Sequence, residues 1–124
     1  MTDDLHARLA DALEVRIRTE DALGTVHRTI IWVVVDGAGR ILVRSYRGAG
    51  ARWYREATSG RPVALEIGAD EHRVRVEPAT DPDRVSACSS GFEVKYAGDP
   101  ATPAMVHPDV LDTTLELRPI APSD

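Results

Sequence analysis

Residues 30–61 read IIWVVVDGAGRILVRSYRGAGARWYREATSGR, and the order of signals inside that stretch decides the fold class. Ile30 to Val35 is a continuous apolar run, β-branched except at Trp32, which reads as a strand buried on both faces. Asp36-Gly37-Ala38-Gly39 supplies hairpin chemistry, because glycine admits the positive φ that such turns need. Arg40 to Tyr46 then returns as the partner strand. Gly48 and Gly50 turn the chain again, and Ala51 to Ser59 reads as a short helix stopped by Gly60, with Pro62 just beyond. Strand, hairpin, strand, turn, helix is antiparallel construction; a parallel sheet would alternate strand and helix.

Working outward gives the same kind of fold. Leu5, Leu9 and Leu13 put one apolar stripe on a helix over Asp3 to Leu13, with Thr2 or Asp3 as its cap. Val15 and Ile17 alternate with charged residues as a strand, and Glu20 to Thr25 is a turn. Val63, Leu65 and Ile67 alternate, Gly68-Ala69-Asp70 turns the chain, and Val74 and Val76 alternate again. Asp81-Pro82 places a cap directly before a proline at the first helical position. The helix that follows carries Val85, Cys88, Phe92 and Tyr96 on about one face, although Ser89-Ser90-Gly91 weakens it. Asp99 to Pro108 contains three prolines and reads as a loop, and Thr114 to Arg118 is the last strand. The sum is six strands and about three short helices: an α+β fold whose antiparallel sheet closes into a small barrel. At 124 residues the chain is expected to be one domain, with an N-terminal helix over 1–13 and a tail over 119–124.

Composition narrows the function classes. Apolar residues make up 43% and charged residues 28%, the balance of a folded domain. Ile30 to Val35 is the longest apolar run and is far too short to span a bilayer. The acidic, polar N-terminus is unlike a signal peptide, and the single cysteine, Cys88, fits a reducing compartment, so a cytoplasmic location is expected. Cys88 falls on an apolar stripe and reads as a small core residue. His6, His27, His72 and His107 are scattered without metal spacing, so no metal site is expected. No Gly-x-Ser-x-Gly elbow is present, and no set of residues compels a reaction.

Charge is the exception to this plainness. Residues 40–61 hold six arginines and one acid, Glu56, in a chain whose net charge is −5. A strand end, a glycine turn and a helix start set among arginines suit an anion. The candidate binding residues are Arg44, Ser45, Arg47, Gly48, Arg52, Trp53 and Tyr54, and the expected partner is a phosphate- or carboxylate-bearing small molecule. Ion pairing or plain solvation of the arginines, and a turn-forming role for the glycines, are the structural alternatives. Trp53 reads as core, packed with Ala57, and Tyr54 as partly exposed. The overall acidity disfavours nucleic acid.

Several segments carry a family resemblance: Trp32-Val33-Val34-Val35-Asp36-Gly37, Val43-Arg44-Ser45-Tyr46-Arg47-Gly48, Arg52-Trp53-Tyr54-Arg55, Lys95-Tyr96 and Thr113 to Pro119. Over roughly residues 14 to 120 the chain resembles an uncharacterised bacterial family, domain of unknown function 2255. That family is similar to the deazaflavin-dependent nitroreductases, six-stranded antiparallel split barrels of the flavin-binding type. The resemblance implies a split barrel, FMN or a deazaflavin as cofactor, oxidoreductase chemistry and a homodimer. It implies a phosphate near Arg44, Ser45, Arg47 and Gly48, with the ring near Tyr54 and the Trp32–Val34 strand. One segment departs from the pattern. Where the nitroreductases carry a basic Thr-Gly-Arg-Lys-Ser-Gly loop, this chain has Thr19-Glu20-Asp21-Ala22-Leu23-Gly24, and its carboxylates repel a phosphate. Either the later arginines hold the phosphate alone, or the cofactor has been lost and the barrel is a non-catalytic binding or oligomerising module.

Overall fold

The computed structural model describes residues 2–120, with side chains from Asp4 onward. The capping role expected of Thr2 or Asp3, and residues 121–124 of the expected tail, lie outside the described residues. The chain runs α1 (Thr2–Asp11), β1 (Val15–Glu20), β2 (Val26–Ile31), β3 (Val34–Val35), β4 (Ile41–Val43), α2 (Arg52–Ala57), β5 (Val63–Ile67), β6 (Asp70–Pro78), α3 (Pro82–Lys95), α4 (Thr102–Met105) and β7 (Leu115–Pro119). Two 3₁₀ segments, Gly48–Gly50 and Pro108–Thr113, complete the order. All seven strands join one antiparallel sheet in the order β2-β1-β5-β6-β7-β4-β3. The sheet curls into a split barrel, the expected α+β class.

The seventh strand comes from the run read as one. Ile30 to Val35 is divided: β2 pairs with β1, β3 pairs with β4, and Trp32-Val33 between them belongs to neither ladder. Because β2 and β3 are the two ends of the sheet, this short link carries the chain from one edge to the other. Nor is the run buried on both faces: Ile30 is 61% exposed, whereas Ile31, Val33 and Val34 are buried. A break in a ladder leaves backbone groups that need partners. Here the end of α3 supplies them. Lys95 Nζ donates to the Val33 carbonyl at 2.6 Å and to the Leu9 carbonyl at 2.9 Å. The Tyr96 hydroxyl accepts the Val33 N–H at 3.3 Å and donates to the Leu13 carbonyl at 2.6 Å. The Tyr96 ring stacks flat on Trp32, centroids 3.9 Å apart.

Two apolar clusters follow from strand alternation. Inside the curl lie Val15, Ile17, Ile31, Val33, Ile41, Val43, Val63, Leu65, Leu115 and Leu117, closed by Leu5 and Leu9 of α1 and by Trp53 and Ala57 of α2. Leu13, expected on the same stripe as Leu5 and Leu9, falls beyond the end of α1 and is exposed. Outside, α3 covers Val34 and Leu42 with Cys88, Phe92 and Tyr96. Gly91 explains the weak spot in that helix. A Cβ there would stand 3.1 Å from Val34 Cβ, so glycine lets α3 lie close on β3. Asp81 caps α3 as expected, its carboxylate accepting the Arg84 N–H at 3.1 Å. The segment read as a loop over Asp99 to Pro108 contains α4, because Pro103 sits in its first turn, where a missing N–H costs nothing.

Candidate functional site

The six arginines of residues 40–61 do not converge on one point. Arg40 pairs with Asp36 at 2.6 Å and with Asp83 at 2.8 Å, locking the β3–β4 hairpin to α3. Arg44 follows the last residue of β4 and turns inward, 1% exposed. Its guanidinium donates to Thr114 Oγ1 at 2.7 Å, Ser89 Oγ at 2.8 Å, the Val85 carbonyl at 2.8 Å and the Met105 carbonyl at 3.1 Å. No carboxylate among the described residues pairs with it, and desolvation lowers its pKa. Four acceptors from three elements thus hold a buried cation by hydrogen bonds alone. Arg44 ties α3, α4 and the approach to β7 onto the barrel, a role the charge pattern did not reveal.

Ser45 is likewise committed to the fold. Its hydroxyl donates to the Gly48 carbonyl at 2.7 Å, and its N–H goes to Thr113 Oγ1 at 3.0 Å. The Gly48 N–H closes the same turn on the Ser45 carbonyl at 3.0 Å. Gly48 has φ +80°, so glycine is required there by conformation. The turn delivers Arg47 to solvent and starts α2 at Arg52.

Helix α2 then sorts its residues by face. Trp53 is 7% exposed and packs with Ala57 in the barrel, as expected, while Tyr54 is half-buried and edge-on to Trp53 at 6.1 Å. Burial raises the Tyr54 phenol pKa. Two depressions share Trp53 as a wall. One, of about 410 Å³, is lined by Thr29, Arg47, Gly50, Ala51, Arg52 and Trp53. Arg47 forms no ion pair among the described residues, and no acid lines this depression. The other, of about 280 Å³, is mostly apolar, with Ile30, Ile31, Trp32, Tyr46 and Met105 on its walls and Arg44 and Glu14 at its edges. Consecutive residues of β2 wall both, Thr29 in the first and Ile30 and Ile31 in the second. Of the seven residues expected at a binding site, Arg47, Arg52 and Trp53 therefore meet at one depression. Gly48 shapes the adjoining turn, Ser45 and Arg44 are bonded inward, and Tyr54 lines neither depression.

Beside the Arg52–Glu56 face of α2 stands a cluster that sequence reading missed. Asp21, His27 and Glu56 bring one ligand-type atom each within 4.8 Å of one another. The register of the β1–β2 hairpin is responsible: Thr19 lies across from His27, and Asp21 follows two residues later, just past the strand end. Glu56 reaches the same spot from α2. The Thr25 and Leu23 amides, with His27, hold the Asp21 carboxyl below the usual range, the Thr25 bond contributing most. The missing signal was the pairing Thr19↔His27, which becomes visible only once β2 is recognised to begin at Val26.

Comparison with known proteins places this geometry. A family model described as an uncharacterized protein conserved in bacteria (DUF2255) matches residues 6–117. The chain belongs to that family. No curated protein matches it. Among solved structures, this DUF2255 chain is similar to an F420 reductase, with 20% identity, a TM-score of 0.63, and coverage of 94% of this chain and 93% of that one. It is similar to a pyridoxamine 5′-phosphate oxidase-like protein from Listeria innocua, with 14% identity, a TM-score of 0.68, and coverage of 95% and 92%. It is also similar to HutZ, the heme storage protein from Vibrio cholerae, with 13% identity, a TM-score of 0.66, and coverage of 97% and 90%. At these identities the likeness establishes the split-barrel fold of the DUF2255 chain. No helix among its described residues is long and apolar enough to cross a membrane.

Proposed function

We propose that this protein binds a flat, anion-bearing small molecule of the FMN or deazaflavin type along β2 and the start of α2. The carrying observation is the 410 Å³ depression in which Arg47 and Arg52 flank Trp53 with no acid in the lining. Guanidinium groups recognise phosphate and carboxylate by paired N–H donors. The adjoining apolar depression, with exposed Ile30 and Tyr46, accepts a ring. The anion sits between Arg47 and Arg52, and the ring lies toward Ile30 and Tyr46. A bound flavin or deazaflavin supplies hydride transfer itself, and the protein's residues position it and exclude water. The fold likeness to an F420 reductase supports this reading.

The test is binding of FMN and of a deazaflavin to purified protein, followed by absorbance, fluorescence and melting temperature. Arg47→Ala is expected to weaken binding about tenfold or more, while Arg73→Ala, on β6, leaves it unchanged. Equal losses in both variants would assign the effect to a diffuse field and end the reading.

The second reading is a barrel that binds no such cofactor and serves as a non-catalytic module, alone or as a homodimer. Its specific support is that Arg44 and Ser45 are bonded inward while Glu56 of α2 and Asp21 beside it bring two acids close to Arg52, leaving two arginines to hold an anion. A colourless protein with no shift on adding either cofactor favours it.

A further inference from the structure

We infer that Asp21, His27 and Glu56 form a divalent-metal site suited to zinc(II), with one coordination position facing Arg52, Arg55 and Arg61 and open to an anionic oxygen. The inference is independent of the cofactor reading and rests on how each donor is held. Asp21 Oδ1 accepts the Leu23 N–H at 2.9 Å and the Thr25 N–H at 3.0 Å, which leaves Oδ2 pointing at His27 Nε2, 3.2 Å away. Glu56 Oε1 accepts the Thr19 hydroxyl at 2.7 Å, which leaves Oε2 at 3.9 Å from the same nitrogen. Each carboxylate is therefore oriented by one oxygen and presents the other, the arrangement by which outer partners fix metal ligands.

The spacing fits a small tetrahedral ion. Bonds of about 2.0–2.2 Å to imidazole nitrogen and carboxylate oxygen put neighbouring ligands roughly 3.3 Å apart. The observed 3.2 and 3.9 Å, within a 4.8 Å triangle, need only modest closure of side chains. Three protein ligands leave a fourth position. That position opens on a depression of about 210 Å³ lined by Asp21, Ala22, Arg52, Arg55, Glu56 and Arg61. Arg52 Nε stands 3.9 Å from Glu56 Oε2, beyond hydrogen-bond reach, so that oxygen keeps its lone pairs. Three guanidinium groups oppose a bare dication. They favour a dication carrying a phosphate or carboxylate oxygen, which restores the local balance.

The test is titration of the full chain with zinc(II) by calorimetry and with cobalt(II) by visible absorption, each with and without inorganic phosphate. One zinc(II) per chain is expected, with the absorption of four-coordinate cobalt(II) and at least about tenfold tighter binding when phosphate is present. His27→Gln and Asp21→Asn are each expected to weaken zinc(II) at least about tenfold without changing the circular dichroism spectrum, whereas His107→Gln leaves binding intact. Failure to bind either metal overturns the site, as does full affinity in His27→Gln. Equal loss in His107→Gln reassigns the metal to the surface and also overturns it. Affinity unmoved by phosphate removes the open position facing the arginines. None of these readouts involves a flavin, and the phosphate effect is expected to persist in Arg47→Ala, which removes the anion position of the other depression, so the two readings fail separately.

Discussion

The Tyr96 hydroxyl bridges two carbonyl-bearing segments that no strand pairs, taking the Val33 N–H at 3.3 Å and giving its proton to the Leu13 carbonyl at 2.6 Å. It satisfies the backbone at the one place where the barrel wall passes from its first edge to its last. Tyr96→Phe keeps the ring stacked on Trp32 and removes these bonds. It is expected to destabilise the fold by about 1–3 kcal/mol, the cost of stranding a buried polar group. A lower urea midpoint with an unchanged slope checks it.

Gly91→Ala sets helix propensity against contact. In an open helix, alanine is favoured over glycine by roughly 1 kcal/mol. Here the added methyl meets Val34 Cβ, Cγ1 and Cγ2 at 3.1 to 3.2 Å, on a strand that cannot retreat into the packed barrel. The variant is expected to lose about 1 kcal/mol or more. A raised melting temperature would mean that α3 is not seated on β3 as described.

Arg44 is expected to be the costliest arginine to replace. Arg44→Leu leaves the Thr114 and Ser89 hydroxyls and the Val85 and Met105 carbonyls short of a donor, at a cost of about 3 kcal/mol or more. Arg44→Lys does not restore it, because one ammonium cannot reproduce a planar fork. Exposed Arg47→Ala, by contrast, leaves the urea midpoint where it was.

Lys95 and Tyr96 give the alkaline stability profile two opposed limbs. Burial lowers the Lys95 pKa from 10.5 to about 8, so over that interval the unfolded chain holds a proton that the folded one has released, and stability rises with pH. Burial raises the Tyr96 phenol from 10.0 to about 12, so there the folded chain retains the proton and stability falls. A maximum at about pH 10 is expected from the pair. Lys95→Met flattens the rising limb and Tyr96→Phe the falling one, both measurable by urea unfolding across pH.

Cys88 is fully buried against α3's apolar cluster, and desolvation pushes its thiol up to about 12. Native protein is expected to resist iodoacetamide, with alkylation appearing only under denaturing conditions. Rapid native labelling would show that α3 opens.

Local chemistry in the sequence carried much of this fold. Alternation placed β1, β5 and β7, glycine chemistry placed the hairpin before β4, and Asp81-Pro82 placed the start of α3. What periodicity could not show was a change of partner. Six apolar residues from Ile30 to Val35 look alike one by one, and only tertiary pairing divides them at Trp32-Val33. The site was legible to a similar extent. Trp53 as core and Tyr54 as partly exposed followed from helix geometry. Arg44 did not, because a charged residue at a strand end is ordinarily solvated, and its four acceptors come from residues 41 to 70 positions away. The Asp21–His27–Glu56 cluster required both a hairpin register and a helix packed over it, neither of which spacing along the chain encodes.

Arg52 lines two of the depressions beside α2, one with Arg47 and Trp53, the other with Asp21 and Glu56. An occupant of either changes the electrostatic potential at this shared side chain, so the two occupancies are energetically linked. Thermodynamics makes that linkage mutual: whatever factor one ligand applies to the affinity of the second, the second applies to the first. A cation taken up on the Asp21 side and an anion taken up on the Arg47 side would each strengthen the other's hold, through a single guanidinium and with no movement of the barrel.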